Sequence, residues 1–582
     1  MNARAIAFAT VFLASAAAAA PPAASPVTET VHGITLTDDH RWMEDPAKAD
    51  AMGAWVLSES ARAHAALQAL PERAAFAARL NEVSSGLTRV RGVQVAGPVT
   101  VFRRASAGDK TAKLIVREQG RERVLVDPNT ATGAVLAINN VSLSPDGGRV
   151  AVHQAKGGGE EGEITVLDVA TGRPVGAPID HVWGEFELQW LGGDWVSYTQ
   201  IAPAGTRADP MTGMRAFIKR IGDAGPGRHV FGLASPGPAF VEKDFPIVTA
   251  APWSAWAVAA GVGARADGNF WVARKADLVA GKPTWAPLAT LDDRVGTADI
   301  LGDAAFVWTT RTNSAGTILR RTITGTGFGA PATVFEGHDR LIVTALAAAK
   351  DGVYVGAQTD GVTRLFYSAD GRRKFSEVKL PIEAGDILDL RVSIDGSGMT
   401  LGLMGWLSNT RTYRLVKGRI SDMGLGSETW AGARQMQVVR LEARSADGTL
   451  VPLVVVRKSG PLPAGGMPTI LESYGGYGSS SATPTYWRDS MAWLAQGGAM
   501  AHCGVRGGGE RGRAWHEGGR SANKPNGHAD YIACAAMLKA EGIAPAKGVV
   551  ATGTSMGGAL VPPAVLKSPG LFAAMVPRVA IL

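Results

Sequence analysis

Apolar residues from about 95 to 435 fall in short or alternating runs separated by Gly, Asp, Asn and Pro, the pattern of many short strands and tight turns. The best-formed unit starts at Val141, turns at Asp146-Gly147, returns through Val150 to Val152, and continues as a strand over 164–169 to the turn at Thr171-Gly172. Two strands joined by an Asp-Gly turn and followed by a third make most of a propeller blade. Echoes begin near 190–198, 251–258, 304–310, 345–357 and 390–403. Turns at Asp146, Asp194, Asp303, Asp351 and Asp395 lie 44 to 48 residues apart, with one gap about twice as long. With a first blade near 95–127, the pattern predicts seven blades of about 49 residues each, close to known four-stranded repeats.

The pattern differs on either side. Residues 40–46 (His-Arg-Trp-Met-Glu-Asp-Pro) follow a Pro- and Ala-rich linker and precede a helical stretch over 47–70, with Trp55, Leu57 and Leu67 as candidate buried positions. Together, 27–94 form a helical leader. Near Arg440 the texture becomes strands at 450–457, 467–473, 499–505 and 548–552 interleaved with helices at 487–496 and 531–538. That alternation predicts a mainly parallel α/β sheet over 441–582.

Composition narrows the reading. A chain of 582 residues is too long for one hydrophobic core, and with 46% apolar and 19% charged residues it is not disordered. Its 73 Gly and 32 Pro agree with many turns. The net charge of +7 is spread along the chain without a basic run, so no nucleic-acid partner is expected. Cys503 and Cys534 are too few for a disulfide scaffold and lack zinc-ligand spacing; they read as buried small residues, able to bridge if close. Residues 1–20 carry Arg4, an apolar stretch and small residues, with cleavage expected after Ala18. This reads as a secretory signal peptide, giving an exported protein, periplasmic in a Gram-negative host, with no membrane span.

The chemistry concentrates late in the chain. Gly553-Thr554-Ser555-Met556-Gly557 matches G-x-S-x-G between an apolar strand and a helix expected near Gly558. In that context the glycines allow the tight turn that lifts a serine hydroxyl above a sheet. The Met556 backbone N–H is then a candidate oxyanion donor. Ser473-Tyr474-Gly475-Gly476-Tyr477-Gly478, Arg506-Gly-Gly-Gly-Glu510-Arg-Gly512, Trp515-His516-Glu517-Gly518-Gly519 and Ala522-Asn523-Lys524 stand before it, in that order. With these motifs and the leader Arg41-Trp42-Met43-Glu44-Asp45-Pro46, the chain resembles the prolyl oligopeptidase family of serine peptidases.

That resemblance implies a seven-bladed β-propeller capping an α/β-hydrolase domain, and cleavage of short peptides after proline without metal or organic cofactor. It implies Ser555 as nucleophile, Tyr474 as side-chain oxyanion donor and Tyr477 as a wall of the proline pocket, where the family often has phenylalanine. Thr554 and Met556 stand where the family often shows Gly and Asn, which spares the backbone donor. A monomer acting on proline-containing peptides is expected. Cleavage after basic residues, or a non-catalytic propeller that binds peptides, are the alternatives. His516 and His528 precede the nucleophile, against the fold's Ser, Asp, His order, and read as structural. Gly507-x-Gly509-x-x-Gly512 also satisfies a dinucleotide fingerprint, but no apolar helix follows it.

Leu582 lies 27 residues beyond Ser555, and no histidine follows the serine. Serine needs a base within reach, so the sequence leads to the expectation of a hydrolase domain truncated at its carboxyl end and lacking the family's Asp and His. An exposed apolar edge over 571–582 is expected with it. So is a marginal hydrolase half, which limited proteolysis would digest back towards Leu441 while sparing 95–435.

Overall fold

Val27–Val31 and Ile34–Asp38 form an antiparallel hairpin whose two-residue turn, His32 and Gly33, has positive φ at both positions. The structure, a computed structural model, describes residues 26–84, 88–130, 135–202, 209, 211–235, 237–325, 327–372, 374–385 and 388–581. They divide into two compact units, Met1–Glu82 and Val83–Leu582. The signal-peptide reading lies outside the described residues.

In the first unit the hairpin replaces part of the expected linker. Threonines alternate along both strands and pair hydroxyl to hydroxyl, Thr28 with Thr37 at 2.9 Å and Thr30 with Thr35 at 3.2 Å. Arg41 closes its base by bridging Glu29 at 2.7 Å and Asp38 at 2.9 Å. Trp42 is buried and meets Trp55 edge to face at 5.7 Å. Trp55 stands on the helix Ala49–Gln68. Trp55 itself is only partly buried, and the expectation that Leu57 and Leu67 are buried is wrong: they are 71% and 55% exposed. At 100° per residue they sit about 160° and 120° around the helix from Trp55, so the face that meets Trp42 cannot include them.

The second unit contains seven successive antiparallel sheets, spanning 89–126, 136–183, 189–232, 245–289, 295–336, 342–378 and 388–426. This is a seven-bladed β-propeller. Apolar side chains fill the spaces between neighbouring blades, as where Val101 and Leu114 meet Leu143 and Val150. The first blade starts at Arg89, ahead of the expected 95, because a register shift between Arg91 and Gln94 breaks the alternation that a period-2 reading follows. Blades seven and one meet without exchanging a strand. Val90 N–H donates to Ser427 Oγ (3.1 Å), Gly97 N–H to Asp395 (2.7 Å) and Thr400 Oγ1 to the Val93 carbonyl (3.2 Å).

A six-stranded sheet follows, in the order Met436–Arg444, Leu450–Lys458, Ala499–Cys503, Thr469–Glu472, Val549–Thr554, Phe572–Arg578. The last four strands are parallel, and the first two form an antiparallel hairpin that adds antiparallel to Ala499–Cys503. The architecture is that of an α/β-hydrolase. Val451, Leu453, Val455, Leu471, Ala501 and Ala551 present one face to the helix Lys524–Ala540, whose Tyr531, Cys534 and Leu538 are fully buried against them. Cys503 and Cys534 form a disulfide, pinning the central strand to that helix. The final strand is mostly exposed, including Met575 and Val576.

Candidate active site

Val549–Thr554 is apolar and β-branched, as a strand buried in a parallel sheet requires, and Ser555 follows it directly. Ser555 has φ 53°, in the left-handed region that a residue with a Cβ seldom adopts. The chain turns through Ser555–Gly558 and only then enters the helix Val561–Lys567. The helix starts later than the expected Gly558 because Pro562 and Pro563 are tolerated in a first turn but not in a helix interior. The sharp turn has no room for side chains: a Cβ at Gly557 would lie 2.9 Å from the Ser473 carbonyl oxygen, and one at Gly558 2.4 Å from the Ala580 side chain.

The loop after Thr469–Glu472 faces this elbow. A Cβ on Gly476 would come 2.4 Å from Met556 Cγ, so the residue after the serine packs directly on the loop carrying Tyr474 and Tyr477. Tyr477 is itself left-handed (φ 55°), and its ring lies 6.4 Å from that of Tyr474. Among the described residues the hydroxyls of Ser555 and Tyr474 have no hydrogen-bond partner within the protein. A serine oxygen, a tyrosine O–H and the Met556 N–H at the opening of a helical turn are the groups an acyl transfer needs to attack a carbonyl and to stabilise the oxyanion formed.

An irregular loop with several left-handed residues needs outside support, and the flanking motifs provide it. Tyr474 N–H donates to Ser481 Oγ (3.0 Å), and Ser481 N–H donates to Glu510 Oε1 (2.6 Å). Glu510 is buried. The glycines of Arg506-Gly-Gly-Gly-Glu510 let the two segments touch: a Cβ at Gly507 would sit 2.3 Å from the Gly475 carbonyl oxygen, and one at Gly509 2.1 Å from that of Gly478. This run lines the loop and opens no βαβ unit, which disposes of the dinucleotide reading. Arg506 turns inward, with two nitrogens on Asp530 at 2.9 and 2.7 Å and a third on Asp447 at 2.5 Å. Glu510 and Lys524 stand in the clustered motifs, whereas Ser481 lies outside them and nothing in the sequence paired it with Glu510.

Both histidines near the elbow are engaged elsewhere. His528 is bonded through Nε2 to the Ala559 carbonyl (3.1 Å) and lies 3.3 Å from Lys567 Nζ. Burial holds its pKa below the usual imidazole value. His516 Nδ1 bonds the Gly507 carbonyl (2.9 Å). Between sheet and propeller lies a cleft of about 340 Å³, lined by Tyr477 and His516 from one side and Asp267 and Trp308 from the other. Arg513 spans it, with Nη1 2.8 Å from both carboxylate oxygens of Asp267. The propeller residues escaped sequence reasoning because they come from a loop and a strand some 200 residues away in sequence.

Two family models match: the prolyl oligopeptidase N-terminal beta-propeller domain over residues 21–221 and the prolyl oligopeptidase family over 485–582. Prolyl endopeptidase of Elizabethkingia miricola is 24% identical over 95% of this chain and 78% of its own length. The chain belongs to the prolyl oligopeptidase family. The prolyl endopeptidase-like protein of Homo sapiens is 34% identical over a shorter stretch, 26% of this chain and 20% of its own length. Among solved structures, one from a study of two prolyl endopeptidases superposes with a TM-score of 0.84 at 22% identity, covering 96% of this chain and 82% of that one. Prolyl oligopeptidase B from Galerina marginata, bound to a 35mer substrate, gives 0.83 at 16% identity, covering 97% and 82%. These likenesses agree with the fold described above, and family membership makes the protein a serine peptidase of the prolyl oligopeptidase type by resemblance.

Proposed function

We propose that the protein is an endopeptidase that cleaves short peptides on the carboxyl side of proline through an acyl-enzyme on Ser555. Ser555 Oγ attacks the scissile carbonyl while a base takes its proton. The oxyanion is held by the Tyr474 O–H and Met556 N–H, the amine leaves with a proton, and water releases the acid. The observation that carries the reading is the left-handed Ser555, whose neighbours Met556 and Gly557 pack against the loop carrying Tyr474. Tyr477, half exposed on the cleft, offers a flat apolar wall suited to a pyrrolidine ring. The acid in the same cleft, Asp267, is already paired with Arg513, which favours proline over a basic residue. His516 and His528 are bonded to the Gly507 and Ala559 carbonyls, so neither is offered as the base that takes the Ser555 proton.

The test is hydrolysis of matched fluorogenic peptides ending in Pro or Arg before the reporter, together with fluorophosphonate labelling, in the wild-type chain and Ser555→Ala. Proline-selective cleavage and labelling, both lost in Ser555→Ala, are expected. Cleavage that survives the substitution overturns the nucleophile. Peptide binding with neither cleavage nor labelling favours the non-catalytic propeller. Export is proposed alongside, supported by the Cys503–Cys534 disulfide, which persists in oxidising compartments. Amino-terminal sequencing of protein recovered from the periplasm checks it, with a start at Ala19 expected and an intact Met1 against it.

A further inference from the structure

The run Ala522-Asn523-Lys524 has no part in the reaction as described, yet Lys524 occupies an unfavourable place. It is the first residue of the helix Lys524–Ala540, where the positive end of the helix dipole repels a cation. It is also partly buried, and that burial pulls its pKa below the usual lysine range. Both effects destabilise an ammonium group there. The one hydrogen bond that the ammonium makes within the protein, among the described residues, is to the Gly475 carbonyl at 2.7 Å.

That carbonyl belongs to the residue after Tyr474, in a segment where Gly475, Tyr477 and Gly478 are all left-handed. Because the peptide unit is planar, fixing the direction of the Gly475 carbonyl also fixes the Gly476 N–H on the opposite side. Gly476 is the point at which the loop meets Met556. His528, four residues on and therefore on the same helix face, holds the Ala559 carbonyl just after the serine turn. One helical turn thus grips both segments that would supply oxyanion donors.

We propose that Lys524 is a positioning residue of the oxyanion site: its ammonium holds the Gly475 carbonyl and so sets the loop carrying Tyr474 against the Ser555 turn. The proposal rests on the reading of Ser555 and Tyr474 given above. Lys524→Met removes the donor and keeps most of the aliphatic stem, while Lys524→Arg restores a cation.

The experiment is hydrogen exchange by mass spectrometry, with fluorophosphonate labelling kinetics, on the full chain. In Lys524→Met, amides over 474–482 are expected to exchange about tenfold faster, those of Val549–Thr554 to stay unchanged, and Arg to restore most of the protection. The maximal labelling rate is expected to fall about tenfold or more at unchanged inhibitor affinity, a split that general loosening of the fold would not give. Wild-type exchange over 474–482 in Lys524→Met overturns the proposal, as does an unchanged labelling rate. If the wild-type chain does not label at all, the peptidase reading is what fails, and exchange alone then decides the Lys524 tie. Should Lys524→Met not fold, Lys524→Gln takes its place, and wild-type exchange over 474–482 in that variant overturns the proposal.

Discussion

Ser555 shows how one residue can be set against its own backbone preference. A left-handed conformation costs an L-residue roughly 1–2 kcal/mol relative to glycine. The turn holds it there because Gly553, Gly557 and Gly558 admit close neighbours on every side. Ser555→Gly is therefore expected to stabilise the protein by about 1 kcal/mol over Ser555→Ala in urea unfolding, although both remove the hydroxyl. Equal stability of the two variants would mean that the serine conformation is not strained. Gly509 is the converse case. A methyl group there meets the Gly478 carbonyl oxygen, so Gly509→Ala is expected to cost about 2 kcal/mol or more and to loosen the Tyr474 loop.

Among the elements, the helix Lys524–Ala540 does most to join the sheet to the site. Its Cys534 is bonded to the central strand, its Tyr531 hydroxyl donates to the Leu471 carbonyl, and its Asp530 holds Arg506. Reducing the disulfide, whose cysteines are 31 residues apart, is expected to lower stability by about 3 to 4 kcal/mol on the loop-entropy account. Comparing denaturant midpoints with and without dithiothreitol checks this. Arg506 also reaches the hairpin turn, where hydrogen bonding to its guanidinium is the main reason the Asp447 carboxyl is lowered to about 2. A carboxyl lowered on folding stabilises above its unfolded value, here 3.8, and that contribution disappears as pH falls through about 2. Asp447→Asn should therefore be less stable than wild type at pH 7 and nearly equal to it at pH 2. Asp447 is half exposed, so the difference should be small and should shrink with added salt.

For the whole second unit, the expectation of a marginal hydrolase half meets a sheet with its own buried core, a disulfide and polar ties to the propeller. Arg513 N–H donates to the Ser314 carbonyl (2.9 Å), Thr483 Oγ1 to the Gly361 carbonyl (2.9 Å), and Arg440 pairs with Glu383 (2.7 Å). Sheet and propeller fall in one compact unit. Limited proteolysis is therefore expected to begin in the exposed strand Phe572–Arg578 and to stall near the disulfide-pinned core. A stable product ending near 435 would show instead that the propeller is the only robust part.

The sequence by itself determined the classes of structure, because they depend on local periodicity. Alternating runs with Asp-Gly turns specified the blades, and apolar strands interleaved with helices specified the α/β sheet, since each pattern buries a face only in that element. The Ser555 elbow was legible for the same reason: strand, turn glycines and serine are contiguous. The tertiary structure alone decided what depended on distance in space. It joined Cys503 to Cys534, took Leu57 and Leu67 out of the core, brought Asp267 to Arg513 across 246 residues and put Lys524 on the Gly475 carbonyl. A local pattern fixes which way a side chain points from its own element, and which partner it meets is fixed only when the elements pack.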